Sequence, residues 1–428
     1  MALFPPVSAL SRLGRRWAIL SRQQVNAAFT FACFSAAPVL GSTLSFLVNG
    51  AGIESFVQLC RGAVPLSRDR AMIRITIALY AYAAAYLLSI VMNPMIGGWS
   101  GKAWPILTLL LFPVLYSGWS TGNKEALARA AVFGSMIACY GALVLAAAQY
   151  PFYGGRAEGG AGNAIIFATV TCLAAPVALA GAFLVEKRFA PALYGAVGAA
   201  AVAILLSGTR MTWVALFVAL GAVLYIYRAE IRAGLPRWTL LVVVLALALF
   251  AAAASETVPR RVEALANDWR LVSTEGDYDN SLGQRLLLWR LGIRLALENR
   301  ILGQGPQFTK LLIRDEYPVK SDLPLRFSHF HNGFLGAWVE AGPIGLISLV
   351  AVFLLAGLTA LRKFASHDPV ERFGSAVLVT FVATFGIGGM TGLIVGHDLL
   401  DAAFIAFLVV GTFLSSGTIT RWKPGGSD

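Results

Sequence analysis

The chain has 428 residues, 57% hydrophobic and 13% charged, with a formal net charge of +12. A soluble domain carries about 25% charged residues, so the composition excludes a water-soluble globular protein. The hydrophobic runs are continuous rather than alternating and reach spanning length, which excludes a β-barrel and leaves an all-α polytopic membrane protein.

The first residues, MALFPPVSALSRLGRRWAILSRQQ, are basic and lead into an apolar stretch that runs past Ser35. That reads as an uncleaved first helix behind a cytoplasmic basic segment, 1–24. Spanning segments are expected near 25–40, 43–60, 71–92, 103–119, 129–150, 163–184, 189–206, 211–227 and 238–254, then 344–361, 373–393 and 399–416, about twelve in all. Residues 25–60 could be one long helix. However, Arg12, Arg15, Arg16 and Arg22 precede them and Arg61, Arg68, Arg70 and Arg74 follow, so both ends belong inside and a turn is expected near Gly41.

Continued alternation puts twenty Lys or Arg on inside segments, while the short outer loops hold Lys102, Arg156 and Arg210. Both termini are then cytoplasmic, including a tail at 417–428. Cations so placed set orientation and meet lipid headgroups, so the bilayer is a partner and nucleic acid is not expected. Cys33, Cys60, Cys139 and Cys172 lie in or at the ends of apolar segments without CxxC spacing, as small packing residues would.

The long connection 255–343 falls outside and carries eleven Lys or Arg. Long loops escape the orientation rule, so these cations are either balanced by the loop's own acids or form an anion-binding surface. Within it, SLGQRLLLWRLGIRLALENR (281–300) has helical spacing, with Arg285, Trp289, Gly292 and Ala296 on one face. Its leucines suit a helix lying on the lipid surface. Gly342-Pro343 predicts a break between a short helix at 331–341 and a spanning one at 344–361. His331, Phe334, Leu335 and Trp338 would share a face of the short helix, with Glu340 pointing away and Trp338 at the water–lipid boundary. Asp277-x-Asp279 sits in a turn-like GDYDNS, so no metal ion is expected there. His397, Asp398 and Asp401 mark another outer turn, where they could touch substrate or cap the next helix.

The run His331-Asn332, then Gly342 and Gly345, resembles the O-antigen ligase signature. SGTRMTWVAL (207–216) is similar to that family's Ser-x-x-Arg entry to a helix, and Arg285 to Phe308 to its Arg-x-x-x-Trp helix followed by Leu-Gly-x-Gly. The chain departs from the pattern at Arg300, where proline is common.

The resemblance implies a GT-C-like glycosyltransferase of the bacterial inner membrane with a periplasmic active site. The donor would be a glycan on undecaprenyl diphosphate and the acceptor a hydroxyl of lipid A–core oligosaccharide, in lipopolysaccharide biosynthesis. It implies His331 as general base, with His329 as its rival, and Arg210 and Arg285 as ligands of the donor diphosphate. Trp289, Asn332, Trp338, Glu340 and Asp398 would support them. The donor is already activated, so neither a cofactor nor a nucleotide is expected. A polymerase of the same superfamily shares these features. A lipid-linked glycan transporter would instead place charges at mid-membrane, where this chain has almost none.

Overall fold

The computed structural model describes residues 21–93, 100–152, 156–234, 259, 262–298, 301–317 and 327–422. Among them the secondary structure is helical, with no strand. Seven helices of the described residues are long and apolar enough to cross a membrane, so the all-α polytopic reading holds. The expected span at 238–254, and Arg300, lie outside the described residues.

The first pair is α1 (Arg22–Leu40) and α2 (Thr43–Cys60). Ser21 and Gln24 start α1 with a reciprocal cap, each side chain accepting from the other's backbone N–H. The turn expected near Gly41 is present. Gly41 sits at φ 55°, and a Cβ there would overlap the Gly160 carbonyl. Both helices are less apolar than the seven, because α2 carries Asn49, Glu54 and Gln58.

Next come α3 (Arg70–Met92), α4 (Ser100–Leu110), α5 (Phe112–Trp119) and α6 (Lys124–Gln149). The expected single span at 103–119 is two helices, because Pro113 favours a new first turn after Leu111. Then follow α7 (Ala164–Gly181), α8 (Ala190–Ser207), α9 (Arg210–Ile226) and the short α10 (Arg228–Arg232).

The long connection that follows holds α11 (262–270), α12 (Ser281–Glu298) and α13 (Thr309–Glu316). The last three helices are α14 (Gly333–Lys363), α15 (Pro369–Gly389) and α16 (Asp398–Ser416).

Helices α7 and α16 are 94% buried over their apolar windows and form the centre of the bundle. Lipid gives apolar helices no reason to associate, so close backbone approach has to supply the contact. Glycines provide it: Gly134 meets Phe31 and Phe34 where α6 crosses α1, Gly181 meets Val132, and Gly374 meets Leu414 and Ser415 where α15 crosses α16.

Outside the bundle, α12, α13 and the first turns of α14 enclose a second apolar cluster of Leu287, Leu288, Leu291, Leu295, Ile313, Phe330, Leu335 and Val339. Leu287, Leu288, Leu291 and Leu295 of α12 therefore pack on protein, while Ile293 and Leu297 stay exposed. Each such burial contributes roughly 2 kcal/mol. Gly292 has no side chain because a Cβ would meet Leu335 and Phe330.

Helix α14 breaks where Gly342-Pro343 predicts, with Gly342 at φ 68° and ψ −174°. The turn 301–305 fills the break: Gln304 N donates to Val339 O (2.6 Å) and Gly305 N to Glu340 O (3.2 Å). Asn93, at the end of α3, donates to Gly303 O (3.2 Å), tying the outer platform to the bundle.

Candidate active site at one end of the bundle

Arg210 is the first residue of α9, and the sequence makes it so. Gly208, left-handed at φ 68°, ends α8, and Thr209 is extended before α9 begins. Arg285 comes from the buried face of α12, one turn before Trp289. The two guanidiniums line one cleft of about 340 Å³, together with Trp289, Asp268 and a third guanidinium, Arg156. Arg156 precedes α7, and its Nε donates to the carbonyl of Ser207 (3.1 Å). The Ala157 N–H donates to Leu206 O (3.0 Å), so the segment is pinned to the carbonyl end of α8. Burial, and then the charges of Arg210 and Arg156, lower the pKa of Arg285. The charges of Arg210 and Arg156 thus reach Arg285 across the cleft, which Asp268 also lines.

Ile165 lines this cleft and also a smaller cavity of about 60 Å³, which His329 lines with Thr169, Thr384 and Leu393. His331 lies beside His329, with ring centroids 4.3 Å apart. Its Nδ1 is buried without a hydrogen-bond partner among the described residues.

Burial holds the His329 pKa down to about 4. Burial, His329 and Arg285 in turn hold that of His331 down to about 3. Both imidazoles are therefore neutral at pH 7. His331 is close enough to Arg285 for the guanidinium charge to contribute.

His331 is not on the short helix, as its spacing suggested. The helix begins at Gly333, and His331 precedes it at φ 49°. Asn332 is the cap. Its Oδ1 accepts from Phe334 N (3.1 Å) and Leu335 N (3.0 Å), so the Asn of the motif fixes the backbone that presents the histidine.

A match to known proteins bears on this same stretch. Residues 195–350 match the family model described as O-antigen ligase. The matched segment runs from α8 through the break in α14, so it contains Arg210, Arg285, His329, His331 and Glu340 but not Arg156 or Asp398. An uncharacterised protein of Haemophilus influenzae is 24% identical over 192 residues, 44% of this chain and 48% of the relative. The exopolysaccharide production protein ExoQ of Rhizobium meliloti is 32% identical over 133 residues, 28% of this chain and 30% of the relative. The matches thus span less than half of each curated relative. The O-antigen ligase/polymerase superfamily recognised in the motifs is borne out over the matched segment.

Within the matched segment the motif glycines are packing residues. A Cβ on Gly303 would stand 2.6 Å from the Gly342 nitrogen, one on Gly342 would overlap the Ile301 carbonyl, and one on Gly345 would lie 2.5 Å from Ala341 Cβ. Glu340 accepts from Thr309 Oγ1 (2.8 Å) and also lines a small cavity with His329 and Asn332. Trp338 is half-buried and packs against the second apolar cluster.

Asp398 faces His397 (3.1 Å) and is not brought to the arginines, while Asp401 accepts from Gly396 N (3.0 Å) and closes the turn before α16. Asp277 accepts from Asp279 N (2.8 Å) in the turn that leads into α12. Among the described residues no group of three or more His, Cys, Asp or Glu gathers to hold a metal ion.

Arg156 is the member that motif reading missed. Its one signal was its place, a cation in a short outer loop where insertion does not call for one.

Proposed function

We propose that the protein is an O-antigen ligase acting on the periplasmic face of the inner membrane. It would move a glycan from undecaprenyl diphosphate to a hydroxyl of lipid A–core oligosaccharide. The observation that carries this reading is the convergence of Arg156, Arg210 and Arg285 on one cleft with a neutral histidine pair beside it.

The acceptor oxygen attacks the anomeric carbon of the donor sugar, and the bond from that carbon to the phosphate oxygen breaks. Charge grows on the departing diphosphate. Guanidiniums offer it paired donors and stay cationic, and because they are already in place they favour the transition state without reorganising. His331, neutral, accepts the hydroxyl proton. Burial and His329 are the larger causes of the low imidazole pKa; the diphosphate offsets the smaller share that Arg285 adds, so the base strengthens by that share once the donor is bound. Asn332 sets the height of the imidazole, and Trp289 walls the cleft.

The test is transfer by the purified protein in lipid, given both lipid substrates, a chelator and no nucleotide. Glycosylated lipid A–core is the expected product, lost in His331→Ala, Arg285→Ala and Arg210→Ala. No product from folded wild-type protein with competent substrates would refute the reading.

The similarity to ExoQ supports a second reading, a polymerase extending the glycan on its lipid carrier. Product formed with the lipid-linked glycan as sole substrate, and none with lipid A–core, would favour it.

A further inference from the structure

Helices α3 and α14 carry a second basic cleft at the end away from the histidines. Arg70 and Arg74 from α3 and Arg362 from α14 surround about 300 Å³, floored by Ala71, Leu355 and Thr359. Cations nearby at that end have acidic partners: Arg22 with Glu54, Arg129 and Arg188 with Glu186, Arg372 with Glu230, and Lys363 with Glu371. Arg70, Arg74 and Arg362 make no ion pair or side-chain hydrogen bond among the described residues. The adjacent carboxylate is engaged elsewhere, because Asp69 accepts from Tyr116 Oη (2.8 Å), Thr418 N (3.0 Å) and Thr418 Oγ1 (2.6 Å).

Below the arginines the surface turns apolar. Ile73 and Ile77 of α3, and Leu354, Leu358 and Leu361 of α14, are exposed along the same two helices. Three guanidiniums above an open apolar track match a phosphate carried on acyl chains better than a free phosphate ion, since basic clefts between membrane helices suit anionic headgroups.

We propose that this cleft binds an anionic glycerophospholipid in the leaflet opposite the transfer site, and that a diphosphatidylglycerol, whose two phosphates can bridge the helices, binds best. The site is independent of the transfer chemistry and lies outside its cleft.

The full chain, delipidated in detergent, is titrated with diphosphatidylglycerol, phosphatidylethanolamine or inorganic phosphate. Binding is followed by native mass spectrometry and by Tm. Diphosphatidylglycerol should bind and raise Tm, while the other two should not. The double variant Arg74→Gln/Arg362→Gln should weaken binding roughly 30-fold. Ala71→Trp keeps every charge but fills the cleft, and should displace the lipid too. Arg61→Gln, an inside arginine outside the cleft, should bind like wild type. Unchanged affinity in both the double variant and Ala71→Trp would overturn the proposal. So would a Tm rise with phosphate or phosphatidylethanolamine equal to that with diphosphatidylglycerol.

Discussion

Replacing Gly342 by alanine attacks the joint between the outer platform and the membrane bundle. The backbone there has φ 68° and ψ −174°, a region almost restricted to glycine, so any side chain costs about 2 kcal/mol in strain. The added carbon would also overlap the Ile301 carbonyl, which is backbone and cannot rotate aside. Relief requires the 301–305 turn to withdraw, which breaks the Gln304–Val339 and Gly305–Glu340 hydrogen bonds. At about 1 kcal/mol each, the joint loses about 4 kcal/mol and opens several hundred-fold more often, by order of magnitude. Amide hydrogen exchange in the same bilayer measures this directly. Gln304 and Gly305 should lose protection in the variant while α6 and α7 keep theirs, and transfer should fall with the loosened platform. Equal exchange at 304 and 305 in the two proteins would refute the packing role assigned to these glycines.

Removing the imidazole with His331→Asn should lower the transfer rate by about 10²–10⁴ with expression unchanged; a rate near wild type would pass the base role to His329. Arg285→Lys should raise the donor KM and lower kcat, because a point charge does not replace a planar fork; wild-type kinetics would remove Arg285 from the diphosphate site. Arg156→Gln should weaken donor binding while leaving acceptor KM unchanged, measured by steady-state kinetics with each substrate varied.

Both histidines titrate below their ordinary 6.5 in the folded protein, at about 4 and about 3. The unfolded chain therefore takes up protons that the native one refuses. Stability should be flat above pH 6.5 and fall as pH drops from 6.5 toward 4. The acid limb of kcat should lie at higher pH than that of kcat/KM, since bound diphosphate offsets Arg285. Thermal unfolding and pH–rate profiles check the two statements, and coincident limbs would argue against diphosphate beside His331.

The helices were legible because each apolar run is bounded by residues that end helices: Gly41 between α1 and α2, Gly208 between α8 and α9, Gly342-Pro343 within α14. The pairing of Arg210 with Arg285 was legible only through motifs, since α9 and α12 are far apart in sequence. Arg156 escaped because its Nε binds the carbonyl of Ser207 at the end of α8, and no spacing rule links 156 to 207. The placement of His331 on a helix failed for a local reason: Asn332 caps the helix, and a cap excludes the residue before it. The second apolar cluster under α12 was not legible, because helical periodicity shows that a face is buried, not what buries it.

The left-handed backbone at His331 has a consequence for anyone choosing replacements there. Besides glycine, that conformation is tolerated best by asparagine, aspartate and histidine, and it is a genuine outlier for β-branched or bulky residues. A valine or phenylalanine scan at this position would confound lost chemistry with a refolded turn, and glycine would free the turn. Asparagine keeps the dihedral angles while deleting the imidazole, so it is the substitution whose kinetics can be read as chemistry alone.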